Sequence, residues 1–170
     1  MLLLMVSVLS CKDHTPVNPN ADNSVQLKYK GNTYSFANVT IEESFLDLDA
    51  GLGLRAYGET NLDYDEPGQC CNYYVILFFR KVQGNVFEPH KINFGINERR
   101  GGGKNLFRTL YFADLTIGWN LTNFQMDINQ RSPPYINGTF NGKLSTVTKD
   151  DFVDITDGNY RFNLTTVKRY

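Results

Sequence analysis

Apolar and polar residues alternate along most of this chain with the two-residue period of a half-buried β-strand. Val25, Leu27 and Tyr29 alternate with Gln26 and Lys28, Gly31-Asn32 suits a tight hairpin turn, and Thr33 to Phe36 returns. Val39 to Ile41 continues as strand, whereas Glu42 to Leu48 reads equally as strand or as a short helical turn. Leu52 to Gly58 is a glycine-broken strand, and Thr60 to Gln69 is a polar loop. Tyr73 to Phe79 is apolar on both faces and too short for a helix, so it predicts a central strand. Val86-Phe87 and Ile92 to Phe94 are shorter pieces, and Glu98 to Asn105 is a loop tip.

The C-terminal half alternates more cleanly. Leu106 to Ile117 is extended, and Phe124, Met126 and Ile128 face away from Gln125, Asp127 and Asn129. After Pro133-Pro134, Ile136, Gly138, Phe140, Gly142 and Leu144 share one face. Val153 to Thr156, Asp157-Gly158 and Asn159 to Phe162 give the strongest hairpin signal in the chain. Tyr160, Phe162 and Leu164 should point inward, and Arg161, Asn163 and Thr165 outward. About nine or ten antiparallel strands without long crossovers predict an all-β domain, read as an antiparallel β-sandwich.

The first residues break this pattern. Leu2 to Leu9 is apolar except for Ser7, and roughly 20 such residues are needed to span a bilayer. Eight fits the apolar region of a signal peptide. The run ends in Val8-Leu9-Ser10-Cys11, which resembles the lipobox of bacterial lipoproteins. The resemblance implies cleavage before Cys11 and a diacylglyceryl group on its thiol. No Lys or Arg precedes Leu2, which points to a start further upstream. Lys12 to Ser24 is polar and proline-punctuated, a composition that cannot bury a core. The expected organisation is therefore a signal peptide over 1–10, a lipidated cysteine and tether over 11–24, and a β-sandwich domain over 25–170. Cys11-Lys12-Asp13 is similar to the export signal that directs lipoproteins of the Bacteroides and Flavobacterium type to the cell surface.

A second resemblance lies near the C-terminus. Ile136-Asn137-Gly138-Thr139-Phe140-Asn141-Gly142 and Ile155-Thr156-Asp157-Gly158-Asn159-Tyr160 are similar to strands shared by small β-rich lipoproteins of the Bacteroides group. It implies fold and compartment, a lipid-anchored protein of the outer membrane on its periplasmic face or at the cell surface. It transfers no catalytic residue.

Composition narrows the function classes. Hydrophobic residues make up 41% of 170, enough for a proper core. Seventeen Lys and Arg against eighteen Asp and Glu leave a net charge of −1 with no concentrated basic patch, so nucleic acid is not an expected partner. No cofactor motif is present, since the triple glycine at Gly101 lacks the Gly-Lys-Ser/Thr ending of a phosphate loop.

Candidate chemistry is sparse. Cys70 and Cys71 are adjacent, and in an oxidising compartment they are candidates for a vicinal disulfide. The competing reading sends one thiol to the core and the other to the surface, as strand side chains alternate. Asp63, Asp65 and Glu66 form an oxygen-rich loop, the calcium candidate, beside the plainer reading of a solvated turn. Asp150-Asp151 reads as a turn, and His90, after Pro89, as a surface or turn histidine. Twelve Phe, ten Tyr and one Trp are the most suggestive surplus. Tyr57, Tyr64, Tyr73, Tyr111, Trp119 and Tyr135 lie near predicted strand ends or loops. Of these Tyr64, Trp119 and Tyr135 are the expected ligand-binding residues, because exposed aromatic faces stack on sugars and anchor interfaces. The expected function is non-catalytic binding of a glycan or an envelope protein. An envelope hydrolase using loop carboxylates and a structural or assembly subunit are the alternatives.

Overall fold

The structure is a computed structural model of the chain, and it describes residues 22–36, 39–47, 51–60, 71–84, 86–100, 105–115, 123–132 and 134–169. It is nearly all antiparallel strand: β1 Ser24–Tyr29, β2 Asn32–Phe36, β3 Thr40–Asp47, β4 Gly51–Glu59, β5 Cys71–Gln83, β6 Val86–Arg100, β7 Asn105–Asp114, β8 Gln125–Ser132, β9 Tyr135–Ser145 and β10 Phe152–Asn163. A 3-10 turn, Leu164–Thr166, follows β10. Among the described residues no helix is long and apolar enough to cross a membrane.

The all-β antiparallel expectation is met, but the strands belong to one hydrogen-bonded sheet. Its order is β2-β1-β10-β9-β7-β6-β5-β4-β3, with β8 paired to β9. The sheet curls like a half-barrel, so strands distant in this order meet across its inside. Tyr29 of β1 packs 5.2 Å from Phe94 of β6, and Phe79 of β5 packs 5.2 Å from Tyr160 of β10. The link between the two halves is narrow: β7 and β9 share the single pair Phe112 and Ser145. Leu27, Phe36, Leu77, Phe79, Ile92, Phe94, Leu144, Ile155 and Phe162 are wholly buried in the core this produces.

Three sequence expectations change here. Asp157-Gly158 is not a hairpin turn. Residues 152–163 form one strand, and its register with β9 slips between Ile155 and Gly158. Asp157 takes the left-handed φ of 51° that such a bulge requires. The slip has a reason in the side-chain period. Val153 and Ile155 are odd positions and Tyr160 and Phe162 are even, yet all four are buried. One extra residue brings both apolar sets to the same face. Likewise Val86-Phe87 and Ile92 to Phe94 belong to one strand, with Pro89 at a register shift against Phe78 and Phe79, where a missing N–H is tolerated. His90 within it is buried, not superficial, and its carbonyl accepts from Leu115 N–H at 2.9 Å.

Candidate functional site

The C-terminal residues build the site. Asn163, expected to face water, is buried and caps the 3-10 turn: its Oδ1 accepts from Thr165 N–H at 3.0 Å and from Thr165 Oγ1 at 2.8 Å. Leu164 N–H donates to the Pro134 carbonyl at 2.7 Å, fixing the turn against the β8–β9 connection. The tail then runs parallel to the edge strand β3, where Lys168 N–H donates to Ile41 O and Glu43 N–H donates to Lys168 O, both at 2.9 Å. The continuation of β10 is thereby tied to β3, strapping together two distant strands of the sheet.

Beneath this strap lies a cleft of about 630 Å³, within the size range of small-molecule sites, roughly 300–1,000 Å³. Val86 and Phe87 of β6, Ile128 of β8, Tyr135 and Ile136 of β9, and Leu164 and Val167 of the tail supply most of its wall. Pro134, Thr165 and Arg169 complete it, so among the described residues the lining carries two hydroxyls, those of Tyr135 and Thr165, and one charged side chain. Four of these residues, Phe87, Leu164, Val167 and Arg169, also line a side pocket of about 50 Å³ together with Glu43, Leu54 and Lys81.

The charges at this rim gather two cations about one carboxylate. Glu43 accepts from Lys81 Nζ at 2.8 Å and pairs with Arg169 Nε at 3.5 Å. The hydrogen bond from Lys81 is the main reason that the Glu43 carboxyl is held below the usual carboxylate range. Arg161 lies with its guanidinium carbon 4.4 Å from the centroid of the Tyr135 ring, covering the aromatic with a cation.

Of the residues expected to bind ligand, Tyr135 is therefore placed in the cleft wall. Tyr64 and Trp119 lie outside the described residues, as do Cys11, Cys70, Asp63, Asp65 and Glu66. Cys71 is buried in the core at the start of β5, at the opposite end of the curl from the cleft, beside Tyr73. Tyr73 packs 4.4 Å from Tyr34 and 6.0 Å from Phe94, and burial pushes its phenol far above the ordinary value. Tyr111 is also interior, donating to Asp151 Oδ2 at 2.6 Å. Asp150 and Asp151 form a turn as expected, with Asp150 accepting from Thr146 Oγ1 at 2.8 Å and from Thr148 Oγ1 at 2.5 Å. Among the described residues no three His, Cys, Asp or Glu side chains stand together as metal ligands would.

The aromatic surplus was thus spent mostly on the core. The cleft itself was not visible as a motif, because its wall is assembled from four separate segments. The one local signal was Leu164 and Val167 persisting as apolar positions after the last strand had ended.

Compared with protein-family models, curated proteins and solved structures, the chain matches none.

Proposed function

We propose that this chain is a cell-envelope lipoprotein, attached to the outer membrane through lipid on Cys11, whose β domain is a non-catalytic module that binds an apolar chain in the cleft under the C-terminal strap. On this reading the curled sheet serves as a β-sandwich, its two halves enclosing the core and leaving one end open to a ligand. The observation that carries the proposal is the wall chemistry. Val86, Ile128, Ile136, Leu164 and Val167 offer alkyl surface, and of the cations described at its rim Arg169 is paired with Glu43 and Arg161 lies over the Tyr135 ring. A sugar would demand many hydrogen-bond partners from such a wall, whereas a hydrocarbon chain demands none. The described residues of the lining include no carboxylate, imidazole or thiol, which favours binding over turnover.

The test is titration of the folded domain with a fluorescent long-chain fatty-acid ester. Saturable binding that is lost in Val86→Asp and Ile128→Asp, with the β-sheet circular dichroism retained, is the expected result. Unchanged binding in both variants would overturn the choice of site.

A glycan reading retains one specific support, on the outer face of β4 to β6. The Tyr57 and Tyr74 rings lie 6.2 Å apart there, and Tyr74 lies over Gly95, where a β-carbon would overlap its ring. Glu59 and Asn72 beside them are hydrogen-bonded to each other. Oligosaccharide binding abolished by Tyr74→Ala would support this second site; binding that survives the change would remove it.

A further inference from the structure

The chain enters the domain at the edge of the cleft. Asn23, one residue before β1, donates through Nδ2 to Thr166 Oγ1 at 2.8 Å and accepts at Oδ1 from Asn163 N–H at 2.8 Å. These two partners bracket Leu164 and Thr165, which line the cleft, and Val167 follows directly. The polypeptide preceding β1 is therefore pinned to the same turn that forms the cleft wall.

We propose that the cleft is the seat of the protein's own lipid anchor: an acyl chain carried on Cys11 folds back along the tether and lies between Val86, Ile128, Leu164 and Val167. This rests on the lipoprotein reading above and names the ligand. Eleven residues separate Cys11 from Asn23, and a flexible chain of that length has a typical reach on the order of 20 Å. An attached acyl chain therefore meets the cleft at an effective concentration of roughly millimolar, with no diffusional search.

Two features fit this occupant. An ester-linked acyl chain carries no charge to satisfy, and the cations described at the rim already have contacts, Lys81 and Arg169 with Glu43 and Arg161 with the Tyr135 ring. The apolar surface also continues beyond the cleft. From Leu54 in the side pocket, the next row along the same face of β3 and β4 is the cross-strand pair Phe45 and Leu52, 63% and 55% exposed. A linear hydrocarbon can follow such a track from interior to rim.

The consequence is a holster. While seated, the anchor is withheld from the bilayer; when released into a membrane it leaves the domain tethered with its cleft open.

The test uses the full exported protein with Val86→p-benzoylphenylalanine as a photo-crosslinker at the cleft, and with the same substitution at the remote, 72%-exposed Val147 as control. Intact mass first establishes whether Cys11 carries lipid. Irradiation should join the peptide containing position 86 to the acylated N-terminal peptide, and not that containing position 147. Inserting 36 Gly/Ser residues after Asn18 lengthens the tether about fourfold and lowers the effective concentration about eightfold, so added fatty-acid methyl ester should halve the adduct yield at about one-eighth of the concentration needed with the natural tether. Adducts at position 86 with bilayer phospholipid alone, or a competition midpoint independent of tether length, would overturn the holster while leaving the apolar cleft intact. An unlipidated Cys11 would overturn it together with the lipoprotein reading.

Discussion

Asn23 and Asn163, 140 positions apart in sequence, are joined by a hydrogen bond of 2.8 Å from the backbone N–H of Asn163 to the side chain of Asn23. Asn163 simultaneously caps the 3-10 turn and holds Thr165. One residue thus ties the first strand, the last strand and the cleft wall together.

The two side chains serve different bonds. Asn163→Ala removes the cap on the Thr165 N–H and hydroxyl, a change worth roughly 1–2 kcal/mol, and leaves the backbone bond to Asn23 in place. Thermal unfolding should show the Tm lowered by roughly 2–8 °C, and Asn23→Ala should lower it too, because the N–H of buried Asn163 then loses its acceptor. Equal Tm values for the two variants and the parent would contradict the assignment.

The bulge in β10 makes a conformational prediction. Asp157 holds φ of 51°, so Asp157→Gly should be neutral or stabilising, and Asp157→Val should cost about 1–2 kcal/mol. Deleting Asp157 is a different matter. It would turn either Val153 and Ile155 or Tyr160 and Phe162 to the solvent, and the expected outcome is a chain that fails to give a cooperative unfolding transition.

Two glycines should respond differently to alanine. The three atoms nearest a β-carbon on Gly95 all belong to Tyr74, a half-buried side chain, whereas one on Gly138 overlaps the backbone oxygen of Asp127 as well as Tyr160. Gly95→Ala should cost roughly 1–3 kcal/mol, and most of this should be recovered in the Gly95→Ala, Tyr74→Ser double variant relative to Tyr74→Ser alone. Gly138→Ala should cost more, and Tyr160→Phe should not rescue it. Urea titrations of the parent and these variants decide both points.

Titration should reveal two groups. Lys81 beside Glu43 depresses its carboxyl, so the stabilisation from this contact is complete above the ordinary glutamate value of about 4.5 and is lost as the pH falls through the lowered one. Glu43→Gln should accordingly flatten the acid limb of Tm against pH. At the other extreme, burial first, and then the hydrogen bond to Glu59, push the Tyr57 phenol up to about 12. Its contribution is complete below the ordinary value near 10 and disappears as the pH rises towards 12. Ultraviolet titration should show a tyrosine ionising at that late point, absent in Tyr57→Phe.

How much of this was readable in advance follows from the range of each signal. Alternation over five residues placed β1, β2, β8 and β9, because burial of one face leaves a local trace. Alternation through residues 152–162 is visible too, but Asp157-Gly158 reads as a turn; the pair suits left-handed geometry in a turn and in a bulge alike, and only pairing with both β1 and β9 selects the bulge. Pro89 divided β6 into fragments for the same reason. The single curled sheet depends on the one pair Phe112 and Ser145, a long-range fact with no sequence signature. Tyr135 stands out in the sequence for its ring near a predicted strand end, but the cleft around it needs Val86, Ile128 and Leu164, each an unremarkable apolar residue in its own segment.

The central claim, that the cleft under the C-terminal strap takes an apolar chain, is tested most directly by amide NMR of the domain titrated with a long-chain fatty-acid methyl ester. The account predicts shifts concentrated at Val86, Phe87, Ile128, Tyr135, Ile136 and Leu164 through Val167, saturating with ligand. Shifts gathered instead around Tyr57 and Tyr74, or none at saturating ester, would contradict it.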